Sequence, residues 1–154
     1  RWRSSSGRML RSSRSSGPLE LSASPDIVEL RVVRGGPALP LMRVVLGGMA
    51  SRHDVPLEEL DDVQLAIETL LAEEPGAGDD LVMCVSVEDG CFAVRLEGLT
   101  NPGLKAALLA SDPFQPCEGC LLDVRLFLDS LVDSYAVVEE SSERFAVQMK
   151  KRAG

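Results

Sequence analysis

The segment from Leu60 to Gly76, LDDVQLAIETLLAEEPG, places the strongest condition on the fold, because it is apolar along one side only. At 3.6 residues per turn this pattern predicts a helix whose inner stripe must pack on another layer. The inner stripe consists of Leu60, Val63, Ile67, Leu70 and Leu71. A second side carries Asp62, Ala66, Thr69 and Glu73. Pro56 opens the helix at its first turn, and Pro75-Gly76 ends it.

A sheet is the predicted partner layer, because several short segments alternate apolar and polar residues. The predicted strands are 27–33, 81–87, 91–96, 134–140 and 144–150. Asp89-Gly90 between two of them is a strong hairpin signal. Further helices are predicted at Ala38–Arg52, 104–109 and Leu121–Val132, the first with Leu41, Met42, Val45 and Met49 facing inward. The order predicts an α+β fold, a two-layer α/β sandwich with a mostly antiparallel sheet and helices on one face.

Charge divides the chain into two parts. Residues 1–18 hold five of the 16 basic residues and none of the 24 acidic ones, so the remaining chain carries −13. The Arg/Ser-rich segment 1–25 is predicted to be a disordered tail, and 26–152 a single domain. The acidic domain argues against nucleic acid as a partner.

No apolar run reaches the roughly 18 residues of a membrane span. Four cysteines without a secretory signal pattern predict a reducing cytoplasm.

The element order and several local segments resemble the anti-sigma regulatory factors, which are serine/threonine-kinase-like proteins of the GHKL (Bergerat) ATPase superfamily. The resemblance covers residues 26–152. The segments that carry it are VELRVV, MRVVLGGMASRHDVPLEELDDVQLAIETLLAE, the hairpin around EDG, RLFLDSLVDSYAVVEE and FAVQMKKR. It implies a histidine-kinase-like ATPase domain and directs attention to three nucleotide-binding boxes.

The first box in that family is E-x-x-x-N at the end of the second helix. Its Glu acts as a base, and its Asn holds the Mg²⁺ that bridges the ATP phosphates. By resemblance the Glu place falls on Thr69 and the Asn place on Glu73. A one-residue shift puts Glu68 in the base position, which is about 100° around the helix axis from Thr69 and away from the side that carries Glu73. Glu73 offers Mg²⁺ a carboxylate oxygen, but it also places negative charge beside a triphosphate. The candidate catalytic residues are Glu68 and Glu73.

The two glycine boxes of the family also depart from their pattern here. In D-x-G-x-G the Asp recognises adenine and the glycines let the backbone approach the nucleotide. By resemblance that box falls on the run 97–101, EGLTN. The final G-x-G falls near Leu122 and Val124, and the nearest glycine is Gly119. The resemblance therefore implies Glu97, Gly98, Asn101 and Gly119 as cofactor-binding candidates. No protein metal site is predicted.

Three altered boxes beside an intact packing stripe predict a helix that keeps its structural role and has lost most of its catalytic side. The expected function is a bacterial regulatory protein that controls transcription by protein–protein binding. The resemblance implies a sigma factor or an anti-sigma-factor antagonist as partner, and a homodimer as an available state. The alternative is an active serine/threonine kinase that uses ATP and Mg²⁺, with Glu68 or Glu73 and Glu97 as stand-ins.

Two other features are weighed against ordinary structural roles. Cys117-Glu118-Gly119-Cys120 is a C-x-x-C segment, which suits a redox pair or, with Cys84 and Cys91, a zinc site. The surrounding pattern is not thioredoxin-like, so ordinary loop thiols are the favoured interpretation. His53 is the only histidine, and it is expected to cap a helix or face solvent.

Overall fold

A computed structural model describes residues 26–110 and 123–153. The predicted tail 1–25, Cys117, Gly119 and Cys120 lie outside the described residues. The elements in chain order are β1 (Asp26–Val32), α1 (Ala38–Arg52), α2 (Leu57–Ala72), β2 (Leu81–Glu88), β3 (Cys91–Leu99), α3 (Pro102–Leu109), α4 (Val124–Leu131), β4 (Ser134–Glu139) and β5 (Phe145–Arg152). The described chain is therefore α+β, as the alternation and periodicity predicted.

The five strands form one sheet in the order β1-β2-β3-β5-β4, and every neighbouring pair is antiparallel. One face of the sheet contributes to a core that it shares with the helices. The registers align Glu29, Cys84, Arg95 and Gln148 in a row on the opposite face, and none of these belongs to that core. The arrangement is compatible with a two-layer α/β sandwich.

The hairpin between β2 and β3 turns at the predicted dipeptide. Asp89 has φ 51° and Gly90 has φ 70°, so both residues adopt the left-handed conformation that a tight two-residue turn needs. The register runs from Val82 opposite Glu97 to Glu88 opposite Cys91. The Asp-Gly signal thus fixes which residues of the two strands share a face.

The inner face of α1 differs from the predicted one. Met42 and Met49 are buried as expected, but Leu46 is fully buried and Leu41 remains 48% exposed. Apolar residues occur on nearly all sides of this helix, so periodicity alone defines its inner face poorly. The prediction that Leu41 faces inward is wrong.

The second side of α2 also serves the structure. Ala66 was predicted to lie on the second side, apart from the inner stripe. That prediction is wrong, because Ala66 is fully buried. The Asp62 carboxylate pairs with Lys151 of β5 at 2.9 Å, and this contact raises the pKa of Lys151. Only the C-terminal half of α2 therefore leaves its second side open.

The described residues contain no helix with both the length and the apolar character that crossing a membrane would require.

Candidate functional site

A groove of about 280 Å³ lies between α2 and α4. We call it the α2–α4 groove, and its lining residues are Leu65, Glu68, Thr69, Ala72, Glu73, Val124 and Phe127. Both candidate catalytic residues, Glu68 and Glu73, border it. It also contains Val124, where the resemblance places the last glycine of G-x-G. The structure thus brings Glu68, Glu73 and Val124 to one groove.

Glu68 reaches across to the neighbouring helix. Its carboxylate lies 2.5 Å from Nη2 of Arg43 on α1, and both side chains are about half exposed at 45% and 47%. Such an exposed pair contributes little to stability. It does give the Glu68 carboxylate a cationic partner at the groove's edge.

The lining of the groove is poorly matched to phosphate. Its polar side chains are two carboxylates and the Thr69 hydroxyl, which donates to the Leu65 carbonyl at 2.8 Å. The other lining residues are apolar, and no lysine or arginine is among those described. A triphosphate placed here would meet like charge unless a metal ion intervened. Within the described residues, no group of three histidine, cysteine or acidic side chains suits a metal ion.

Glu97 does not join the groove. In β3 it pairs with Val82 of β2, its carboxylate lies 3.5 Å from Nε of Arg95, and the Cys84 thiol donates to it at 3.7 Å. These residues belong to the sheet face opposite the shared core. The adjacent Leu96 is fully buried in that core. If Gly98 is taken as the first glycine of D-x-G-x-G, the Asp place falls on this apolar Leu96.

The surroundings of Cys84 make it a poor nucleophile. Burial, followed by the Glu97 and Glu29 carboxylates, raises the pKa of the Cys84 thiol to about 11. The thiolate is the reactive form, so this cysteine stays protonated near neutral pH. Cys84 and Cys91 are both free thiols.

Gly98 is required by the backbone around it. Its φ is +91°, and a Cβ there would lie 2.8 Å from the Asp80 carbonyl oxygen. The β3–β5 register shifts between Leu96 and Leu99, which brackets this glycine. Gly98 therefore has a structural reason to be glycine that involves no ligand.

Asn101 acts as a helix cap. Its side-chain oxygen accepts hydrogen bonds from the Gly103 and Leu104 amides at 2.9 and 3.3 Å, at the start of α3. Its side-chain amide donates to the Glu73 carbonyl, which ties this loop to the end of α2. The remaining cofactor candidate, Gly119, lies outside the described residues.

Next to the groove lies a buried ion pair that the motifs did not reveal. Nη1 of Arg34 is 3.0 Å from Oε1 of Glu74, and each side chain is only 2% exposed. Arg34 also donates to the carbonyls of Asp79, Pro75 and Gly98. We call this pair and its hydrogen-bond partners the Arg34–Glu74 junction.

Glu74 completes the junction from the other side. It accepts hydrogen bonds from the backbone amides of Thr100 and Asn101 at 2.8 and 2.9 Å. The end of α2, the loop after β1 and the loop before α3 therefore meet on two charged side chains. The only local sequence signals are an arginine before Gly35-Gly36 and a glutamate before Pro75-Gly76, and neither identifies its partner.

His53 lies at the end of α1, and its Nε2 is 3.0 Å from Oδ2 of Asp26. The Asp26 carboxylate also binds Arg52, whose hydrogen bond is the main reason that the pKa of Asp26 is lowered. The histidine therefore belongs to a surface cluster between α1 and β1.

Comparison with known proteins finds no family model and no curated protein that matches this chain.

Proposed function

We propose that this chain is an anti-sigma-like regulatory domain of the GHKL ATPase type, which acts by binding another protein and has a degenerate nucleotide site. The antiparallel sheet and the order of strands and helices support this assignment. Further support comes from the position of the α2–α4 groove, which joins the places where the resemblance puts the first and last nucleotide boxes.

The observation that carries the proposal is the composition of this groove. The family uses an amide to hold magnesium and glycines to let the backbone approach phosphate. Here the corresponding places hold either Glu73 or, after a one-residue shift, Ala72, together with Val124. Leu96 or the outward-facing Glu97 stands where adenine would be recognised. These side chains favour contact with protein over binding of a nucleotide.

The proposed partner is a sigma factor or an antagonist that releases one, and the proposed location is the cytoplasm. The acidic charge of the domain suits a partner with a basic surface. A homodimer is compatible with this function, since the sheet face with Cys84 and Arg95 lies opposite the core. Direct binding of nucleic acid is not part of the proposal.

Calorimetry and affinity capture together test the proposal. We expect no heat when the full chain is titrated with ATP and Mg²⁺ up to millimolar concentration. We also expect the tagged chain to capture an identifiable sigma factor or antagonist from its own cell extract. Saturable ATP binding would refute the degenerate site, and failure to bind purified sigma factors and antagonists would refute the regulatory role.

An active serine/threonine kinase is the second candidate, and one observation favours it. Glu68 and Glu73 border the same groove, so the candidate base and the candidate metal ligand lie close to one site. This candidate requires magnesium-dependent binding of ATP that is lost in both Glu68→Ala and Glu73→Ala. Glu97→Ala serves as the matched control, because its carboxylate lies on the other face of the sheet.

A further inference from the structure

A second and larger cavity lies at the end of the sheet, between the start of α3 and the turn that joins β4 to β5. Its volume is about 470 Å³, within the range of small-molecule sites. We call it the hairpin cavity, and its lining residues are Asp79, Thr100, Pro102, Lys105, Ser142, Glu143, Arg144 and Phe145. It shares no lining residue with the α2–α4 groove.

Arg144 lines this cavity and carries an unused hydrogen-bond donor. Its Nε is buried and has no hydrogen-bond partner among the described residues. Nη1 lies 3.6 Å from Oδ2 of Asp79, a separation that allows ionic attraction but is too long for a good hydrogen bond. Buried guanidinium nitrogens are normally satisfied, so an unpaired one in a cavity wall points to a ligand that accepts its hydrogen bond.

The two cations of the cavity are less exposed than the acids that pair with them. Side-chain exposure is 24% for Lys105 and 38% for Arg144, against 67% for Glu139 and 77% for Asp79. Water therefore screens the two cationic side chains less than it screens the acids that pair with them.

Apart from the exposed Glu143 carboxylate, the other lining groups fit a small organic anion. Thr100 and Ser142 contribute hydroxyl groups that donate hydrogen bonds, while Pro102 and the buried ring of Phe145 provide an apolar wall. Arginine binds carboxylate and phosphate oxygens through its planar set of N–H groups, and lysine adds a compact charge.

We propose that the hairpin cavity binds a small molecule that carries a carboxylate or a phosphate group, with the guanidinium group of Arg144 and Nζ of Lys105 as its main contacts. This inference is independent of the proposed regulatory function, because it rests on different residues.

Arginine side-chain NMR provides a direct test. The Nε–H resonance of Arg144, identified by its loss in Arg144→Gln, is followed while inorganic phosphate or succinate is added at constant ionic strength. The expected result is a saturable shift with at least one of these anions. Whichever anion gives it identifies the preferred headgroup, and binding is expected to weaken about tenfold in Lys105→Gln.

Arg95 is the matched control. Its side chain is 34% exposed, against 38% for Arg144, and its guanidinium also lies beside one carboxylate, with Nε 3.5 Å from Glu97. Arg95 does not line the cavity. The proposal fails if the Arg144 resonance shows no saturable shift with either anion, or shifts no more than that of Arg95. It also fails if Lys105→Gln, with an otherwise unchanged spectrum, binds as tightly as the parent chain.

Discussion

The α2–α4 groove and the Arg34–Glu74 junction meet at the same helix end, yet two consecutive residues serve them in opposite ways. Glu73 borders the open groove, whereas the Glu74 side chain is 2% exposed and is bound by Arg34 and two backbone amides. In the groove the carboxylates face an open site. In the junction the charged groups of Arg34 and Glu74 bind each other and the backbone of other segments. The comparison teaches that identical residue types have a structural or a ligand-facing role according to their partners.

The largest expected effect tests this contrast directly. Glu74→Ala should lower the free energy of unfolding by about 3–5 kcal/mol, because it leaves the Arg34 charge buried without its counterion. Glu73→Ala should change it by less than about 0.5 kcal/mol. Urea unfolding measures both.

A double variant sharpens the interpretation of that result. Replacing both partners, as Arg34→Met with Glu74→Leu, should cost less than the sum of the two single changes, since no buried charge is left alone. If Glu73→Ala and Glu74→Ala lowered the free energy of unfolding equally, the distinction between the groove and the junction would be wrong.

A pair of glycines gives the next largest effect. Gly98→Ala should destabilise by about 1–3 kcal/mol from the positive φ alone, and the close Asp80 carbonyl adds to this. Gly48→Ala, inside α1 with nothing within 4 Å of the added Cβ, should instead stabilise by about 0.5–1 kcal/mol. Thermal unfolding of both variants measures these changes. If Gly98→Ala left the stability unchanged, the loop beside the Arg34–Glu74 junction would be able to shift without cost.

Asp123 extends the comparison to the far wall of the groove. It caps α4 by accepting a hydrogen bond from the Arg125 amide at 2.9 Å, and the Arg125 side-chain hydrogen bond is the main reason that its pKa is lowered. Because the folded-state pKa lies below the unfolded one, the stabilisation is present above about pH 4 and is lost as pH falls through the folded-state value. Asp123→Asn keeps a capping oxygen and should cost about 1 kcal/mol at pH 7.

Chemical denaturation at pH 7 and at successively lower pH values checks the Asp123 prediction. The difference between Asp123→Asn and the parent chain should shrink on acidification. Asp129→Asn, an exposed position in the same helix, provides the reference and should remain near zero throughout. A constant difference for Asp123→Asn would mean that the carboxylate charge contributes nothing.

The smallest effect concerns Glu97, the acid on the other sheet face. Since Glu97 is the largest cause after burial of the raised pKa of Cys84, Glu97→Gln should speed alkylation of that thiol about two- to fivefold at pH 8. Peptide mass spectrometry follows Cys84 separately from the other thiols. Glu73→Gln should leave the rate unchanged. An equal effect of both variants would contradict the conclusion that the Glu97 carboxylate raises the pKa of Cys84.

Local patterns predicted most of the described fold. The alternation in 27–33 and 81–87 and the Asp89-Gly90 turn depend on neighbours in sequence, and the observed strands and turn confirm them. The inner face of α1 depends on how the helix rotates against the sheet. Leu41 and Leu46 are equally apolar in sequence, and only packing selects Leu46 for the core.

The site was only partly accessible from sequence. Glu68 and Glu73 were predicted from the resemblance of the end of α2 to E-x-x-x-N, and both border the α2–α4 groove. The resemblance did not predict the face on which Glu97 lies. One step along β3 exchanges the core face, where Leu96 lies, for the opposite face, where Glu97 lies. The pairing of Arg34 with Glu74 joins residues 40 positions apart, so no local pattern contains it.

The long sequence separations in the junction have a consequence for folding kinetics. Arg34 binds partners 40 and 64 positions away, and these contacts require the two intervening helices and the β2–β3 hairpin to be in place. We expect contacts of such long sequence separation to form after the transition state, so that losing them accelerates unfolding more than it slows folding. On this expectation, the buried Arg34 guanidinium extends the lifetime of the native state and has little influence on the rate at which that state forms.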